Sequence, residues 1–175
     1  MSNNRNHIVF VFGGAIATGR MNPTNNNAGG YVASEIRQWL EGAAGDGSGP
    51  LAVGLANAIG PLYTIRKFQS NKETAGWGSY TLFLPSEIEV YGHTIRGDET
   101  LPDGTRATMP VMALPIYQKS MEYVRKSRNG SRIWWWLATP YADGSAHFCG
   151  VSSGGSASRY GASDVGGLSP AFCVA

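Results

Sequence analysis

His147 and Cys149 stand two residues apart around Phe148, ahead of Gly150-Val151. On a strand that spacing puts both side chains on one face. An imidazole there can serve a thiol as base, or the pair can supply half a metal site. A thiol nucleophile also needs a third group to orient its base, and the chain holds only 3 histidines, His7, His93 and His147. Coincidence within a strand is the plainer account. Glu87 and Glu89 follow a strand and read as solvated or turn-capping carboxylates, since a carboxylate pair without a cleft is weak evidence of acid-base work. No G-x-S-x-G elbow occurs, and Gly13-Gly14 with Gly19 lacks both phosphate-loop and dinucleotide spacing. No EF-hand loop occurs either, and Asp143 and Asp164 are too few to supply the six to eight oxygens calcium takes. No catalytic residue, metal ligand or cofactor is assigned, and the chain reads as a non-enzyme.

The alternative chemistry is recognition. Between Tyr141 and Ser169 there are seven Gly and seven Ser, and only Asp143, Arg159 and Asp164 are charged. Antibody paratopes use this mixture: Tyr gives rigid contact area, while Ser and Gly give adaptable contacts. Arg159 and Tyr160 are the expected hot spots, because Arg and Tyr carry disproportionate binding energy. On this reading, replacing either with Ala weakens binding and leaves stability nearly unchanged. The bland alternative is a structural Gly/Ser-rich loop.

The elements that must position this segment read as follows. His7–Phe12 is a first strand stopped by Gly13-Gly14, and Asn22–Gly30 is a loop. Val32, Ile36, Trp39 and Leu40 share one helical face over 31–41. Leu51–Ile59 is a short helix closed by Gly60-Pro61. Leu62–Phe68 and Tyr80–Leu84 are strands separated by polar loop. Ser86 caps a helical turn over Glu87–Tyr91, and a turn falls at Pro102-Asp103-Gly104. Pro115–Arg128 reads as one helix with Ile116, Met121 and Val124 inward, and Asn129-Gly130 as a turn. Ile133–Ala138 is a strand carrying three tryptophans, and Pro170–Val174 a closing strand. Helices early and strands last fit an α+β class better than alternating βαβ units.

The bulk properties agree with recognition. The chain has 175 residues, 42% of them hydrophobic and 15% charged. The charged share is well below the roughly 25% usual for globular proteins. Disorder is unlike this apolar content. A net charge of +2 does not indicate a nucleic-acid partner. The local cluster Lys119, Arg125, Lys126, Arg128 and Arg132 reads as the solvated face and end of a helix. Cys149 and Cys173 read as buried thiols, with a disulfide as the alternative. Ile8–Ala17 is interrupted by glycines and makes no convincing signal peptide. No run reaches the length of a membrane span, so direct membrane insertion is not expected.

Trp135-Trp136-Leu137-Ala138-Thr139-Pro140, then Phe148-Cys149-Gly150-Val151, Gly155, and Gly167-Leu168-Ser169-Pro170-Ala171-Phe172-Cys173 resemble the C-terminal signature of variable proteins of diversity-generating retroelements. Gly29-Gly30-Tyr31, Ser34–Leu40 and Leu82–Val90 are similar to the body of the same family. The resemblance covers most of the chain. It implies one C-type lectin-like domain over 1–175, α+β with short antiparallel strands and two main helices, related in fold to formylglycine-generating enzymes. Residues 134–175 would be the variable ligand-binding region.

In such systems, error-prone copying at adenines makes AAC codons hypervariable. Changing their first two bases never yields Trp, Lys, Glu, Gln or Met, and none of these occurs from Tyr141 to Ala175. The resemblance projects variability onto Asp143, Gly144, Ser145, His147, Gly150, Ser152, Ser153, Ser156, Ser158, Arg159, Tyr160, Gly161, Ser163, Asp164 and Gly166. Phe148, Val151, Gly155, Ala157, Ala162, Pro170 and Phe172 would be scaffold. It implies an unidentified protein or surface ligand, on a virion or cell surface, with attachment through a larger particle or an oligomer. The chain lacks the Trp-Asn-Asp calcium motif of sugar-binding relatives and the cysteine pair of the oxidases. Two other readings stand beside this one: a structural virion or surface component that is not diversified, and a Cys/His enzyme on the same fold.

Overall fold

The first and last described strands lie in the same sheet. The computed structural model describes residues 7–42, 46–71, 74–97 and 113–174. The turn expected at 102–104 lies outside them. Strand β1 (Ile8–Val11) is followed by β2 (Ala17–Gly19), a 3-10 turn (Tyr31–Ala33), α1 (Glu35–Glu41) and α2 (Pro50–Ile59). The hairpin of β3 (Ile65–Asn71) and β4 (Thr74–Tyr80) leads to β5 (Leu82–Phe83), α3 (Glu87–Tyr91), α4 (Pro115–Lys119) and α5 (Met121–Val124). A second hairpin, β6 (Lys126–Arg128) and β7 (Ser131–Ile133), precedes β8 (Trp135–Pro140), β9 (His147–Val151), β10 (Ala157–Gly161), β11 (Gly166–Leu168) and β12 (Ala171–Val174).

The architecture is mixed α+β with several small antiparallel sheets. One sheet has the order β1-β12-β5, and the larger has the order β10-β9-β8-β11-β2. Only the β8–β11 pair is parallel among the described strands. The larger sheet has a core on each face. Trp136, Phe148, Ala162 and Leu168 pack with Tyr31, Ile36, Leu40, Leu82 and Phe172. Trp135, Leu137, Cys149 and Val151 pack with Val90, Tyr117 and Val124. The period-2 alternation of β8 makes this division, since neighbouring tryptophans point to opposite faces. No described helix is long and apolar enough to cross a membrane.

Helix α1 turns a different face inward than its apolar spacing predicts. Ser34 accepts from the Arg37 N–H and caps it, and Val32 falls in the 3-10 turn before it. Ile36 and Leu40 are buried, but so are Arg37 and Glu41, while Val32 and Trp39 are exposed. Polar bonding decides the rotation. Arg37 Nε donates to Glu41 at 3.0 Å, and Glu41 also accepts from the Thr81 N–H at 2.9 Å. Burial raises the Glu41 carboxyl's pKa, which the Thr81 N–H and Arg37 oppose.

Ser86 caps α3 as the sequence predicts, through a full capping box with Glu89. Glu89 also pairs with Lys67 at 2.7 Å. Glu87 is neither solvated nor a cap. It is fully buried and accepts from the backbone N–H groups of Ile95, Arg96 and Gly97 at 2.8–3.0 Å. It therefore folds the loop after α3 around its own charge.

The single helix expected over 115–128 is two short helices and a strand. Ser120 adopts an extended conformation and caps α5. Met121 is exposed, against expectation. The Asn129-Gly130 turn carries φ values of 51° and 80°, the two positive values a type I′ hairpin turn requires. The basic residues are not one solvated face. Arg125 and Arg132 both pair with Glu122, and Arg128 donates to the Ile16 carbonyl at 2.6 Å. Lys126 is fully buried. Its Nζ donates to the Phe12 carbonyl at 2.7 Å and lies over the Tyr117 and Trp135 rings.

Burial pulls the Lys126 ammonium down to about 8. Below that pH both folded and unfolded chains carry the charge, and folding bears its desolvation. Between about 8 and the unfolded value near 10.4 the unfolded chain binds more protons, so stability rises with pH. Chemical denaturation at pH 7 and at about pH 10 should therefore show the wild type gaining about 1–3 kcal/mol relative to Lys126→Met. A pH-independent difference would mean that Lys126 titrates normally.

Candidate ligand-binding surface

Strands β9 and β10 form a hairpin whose turn, 152–156, lies at one end of the large sheet. The turns 142–146 and 162–165 meet at the other end, where the Ala162 N–H donates to the Ala146 carbonyl at 2.8 Å. A five-residue β10 separates the two ends by roughly 15–20 Å at about 3.3 Å per residue. The fifteen projected positions therefore divide into two clusters joined by an edge strand. Asp143, Gly144, Ser145, His147, Gly161, Ser163 and Asp164 belong to the first end. Ser152, Ser153 and Ser156 belong to the second. Ser158, Arg159 and Tyr160 lie on β10, Gly150 on β9 and Gly166 on β11.

An asparagine-rich loop holds the first end. Asn27 is buried, and its side-chain amide donates to the carbonyls of Gly144 and His147 at 2.8 Å each. Its backbone N–H donates to the Ser145 carbonyl, and the Asn22 N–H donates to that of Ala162. Asn25 Oδ1 accepts from both N–H and Oγ of Ser163. Composition alone marks 22–30 only as a loop. The usable signal was the density of Asn, whose amide can replace backbone partners where chain segments meet without strand pairing.

At the second end Ser152 Oγ accepts from the Ser156 N–H, and Gly155 sits at φ 95°. Arg125 Nε donates to the Gly154 carbonyl at 2.8 Å, and the Tyr91 hydroxyl to that of Gly155 at 2.9 Å. Backbone carbonyls thus fix the turns together with side-chain bonds from Ser152, Ser163 and Asp164, whose Oδ2 accepts from the Gly161 N–H at 2.8 Å.

Arg159 and Tyr160 point to opposite faces of β10, opposite Cys149 and Phe148 respectively. Arg159 is exposed and lies over the Tyr141 ring, with Nη1 donating to the Tyr141 hydroxyl at 2.6 Å. His147 meets the same ring edge-on, and its Nδ1 is buried without a partner. Tyr160 stacks on Trp134 at 3.7 Å between centroids and meets Trp136 edge-on. It packs against the larger core. Tyr160 is thus a plank of the frame, against the expectation that it is dispensable for stability, while Arg159 remains a surface group.

Three projected positions are buried glycines. A Cβ on Gly150 would lie 2.8 Å from the Tyr160 ring and 2.9 Å from the Trp135 carbonyl. One on Gly166 would strike the Trp134 ring, and one on Gly161 would lie 2.6 Å from Asn25 Oδ1. Gly150 and Gly166 make the room in which the Trp134–Tyr160 stack lies.

The chain belongs to the DUF6273 family. The model of this domain of unknown function matches residues 6–175, a span that includes both paired terminal strands. No curated protein and no solved structure matches the chain. In this DUF6273 domain, Cys149 and Cys173 are buried in different cores and are not joined by a disulfide. Burial pushes the Cys173 thiol up to about 11. The Cys149 thiol lies 3.7 Å from the Pro140 carbonyl and has no exposed surface. Among the described residues, no three His, Cys, Asp or Glu side chains converge as a metal site. What the arrangement offers chemically is hydrogen bonding from exposed Asp, Ser and Arg side chains on an immobilised backbone.

Tyr160→Ala should lower unfolding free energy by about 2–3 kcal/mol, because it opens space beside two indoles. Arg159→Ala should cost at most about 1 kcal/mol, the scale of an exposed cation–π contact. Urea titration of the two variants checks the contrast, and equal losses would place both residues in the frame.

Proposed function

We propose that the chain is a ligand- or receptor-binding protein of C-type lectin-like fold, with a retroelement-diversified C-terminal surface displayed on a virus particle or cell surface. One observation carries this reading: frame and surface separate cleanly within residues 134–174. Phe148, Val151 and Ala162 are fully buried, whereas Asp143, Ser145, Ser153, Ser156, Arg159 and Asp164 are exposed on turns and an edge strand. Substitutions at exposed positions away from caps and buried bonds change stability little, so one backbone supports many surfaces. Tyr160 and the buried Gly150, Gly161 and Gly166 join the frame on this reading, which leaves eleven exchangeable positions.

The antiparallel pairing of the first and last strands and the two longest helices, α1 and α2, support the fold assignment. Binding rather than turnover is supported by the burial of Cys149, which keeps its thiol from any substrate without local opening. Affinity would come from preorganised turns and a few anchoring side chains, with Arg159 the leading anchor.

Sequencing the gene and its flanks in many isolates tests this. We expect a neighbouring reverse transcriptase gene and a near-copy of the 3′ end differing at adenines. Substitutions should fall on those eleven codons and spare those for Phe148, Val151, Ala162 and Phe172. An invariant gene without that repeat would leave the non-diversified surface component as the better account.

A further inference from the structure

Strand β2 forms the other edge of the large sheet, away from β10. There, Thr18 and Arg20 from the β2 segment, Glu35, Ile36 and Trp39 from α1, and Leu168 from β11 line an open groove of about 250 Å³. Its floor is apolar. A Cβ on Gly19 would lie 3.1 Å from Ile36 and 3.2 Å from Leu168, so glycine is what lets these two side chains close beneath the groove. One wall is Trp39, 39% exposed although tryptophan is highly buried on average. The rim is the Arg20–Glu35 pair, with Nε and Oε2 3.2 Å apart and each side chain about half exposed. The segment after β2 is tied to α1, since the Ile36 N–H donates to the Met21 carbonyl and the Glu35 N–H to Asn22 Oδ1. The groove is therefore held open by backbone bonds.

We propose that this groove binds one pyranose ring of a neutral glycan, stacked on Trp39 with its hydroxyls on Arg20 and Glu35. Drug-sized ligands need roughly 300–1000 Å³, so the groove admits about one ring. The C–H face of a pyranose carries partial positive charge and suits the negative face of an indole. Each sugar hydroxyl both donates and accepts. A carboxylate beside a guanidinium offers an acceptor and a donor at neighbouring points, and charge-assisted hydrogen bonds are the stronger kind. An apolar side chain would strip water from Arg20 and Glu35 and return no hydrogen bonds. A quaternary ammonium would meet Arg20. The site requires neither calcium nor the variable turns, so it does not rest on the diversification reading.

Titrating the full chain with methyl β-glucopyranoside, methyl β-galactopyranoside and methyl α-mannopyranoside, each with EDTA, tests this by NMR of the indole N–H signals. The chain has 5 tryptophans, and Trp39→Phe assigns the relevant signal. At least one glycoside should shift the Trp39 indole saturably, with a Kd on the order of 1–10 mM, and leave the other indoles unmoved. Trp39→Leu should weaken binding about tenfold or more and Glu35→Gln about threefold, with melting curves unchanged. No saturable shift up to about 50 mM overturns the proposal. So does equal binding of phenol, or an affinity indifferent to Trp39→Leu.

Discussion

Every residue of β8 is buried, and this strand constrains the rest of the molecule. Trp135 and Trp136 point to opposite cores, and each indole N–H must find an acceptor there. Trp135 donates to the Val124 carbonyl at the end of α5, and Trp136 to the Gly19 carbonyl at the end of β2, both at 2.9 Å. These two bonds fasten one segment to each face of the sheet. A slip of one residue would exchange the two indoles between cores and orphan both N–H groups. The position of β8 is thereby set, and β9 and β11 take their register from it.

The candidate surface inherits this rigidity by steps. Gly150 lies opposite Trp136 on β9 and leaves space that the Tyr160 ring of β10 fills. Tyr160 then stacks on Trp134, which covers Gly166 of β11. One aromatic layer thus joins four strands. Beyond it the turns are fixed through their carbonyls, by Asn27 at one end and by Arg125 and Tyr91 at the other. A turn held by its backbone loses little further freedom on binding, and that loss is among the main costs of association. Groups outside the turns, on Asn27, Arg125 and Tyr91, therefore do part of the ordering.

What could be read from the sequence was mostly local. The Ser86 cap, the Asn129-Gly130 turn and the helix ending at Ile59 depend on neighbours in the chain, and each formed as expected. The misreadings arose where distant polar partners outweighed local pattern. Helix α1 rotates because Glu41 reaches Thr81, 40 residues away. Lys126 leaves its helical run for a strand and a carbonyl of Phe12, 114 residues away. Adjacent Arg159 and Tyr160 looked alike as hot spots in composition, yet strand geometry sends one to solvent and the other to the core. The supporting asparagines showed only as a local density of Asn, because an amide that replaces backbone partners leaves no periodic trace. At the candidate site, the exposed Ser and Asp positions were legible, and the role of the buried glycines was not, since it depends on which ring lies above each one.

The low charged content acquires a meaning from where the charges lie. Glu87 organises a loop, Glu41 and Arg37 orient a helix, and Lys126 fastens β6 to the chain after β1. Charges spent inside the frame are not available to the surface. Net charge is only +2, so long-range steering of a charged partner contributes little. Recognition on such a molecule must depend on short-range fit: hydrogen bonds from serines and aspartates, flat contact with an aromatic ring, and one or two guanidinium groups. Both concave and convex features have that character. The β10 edge offers Arg159 flattened on Tyr141 among serines, and the β2 edge offers Trp39 beside Arg20 and Glu35. Short-range contacts discriminate by shape rather than by net charge.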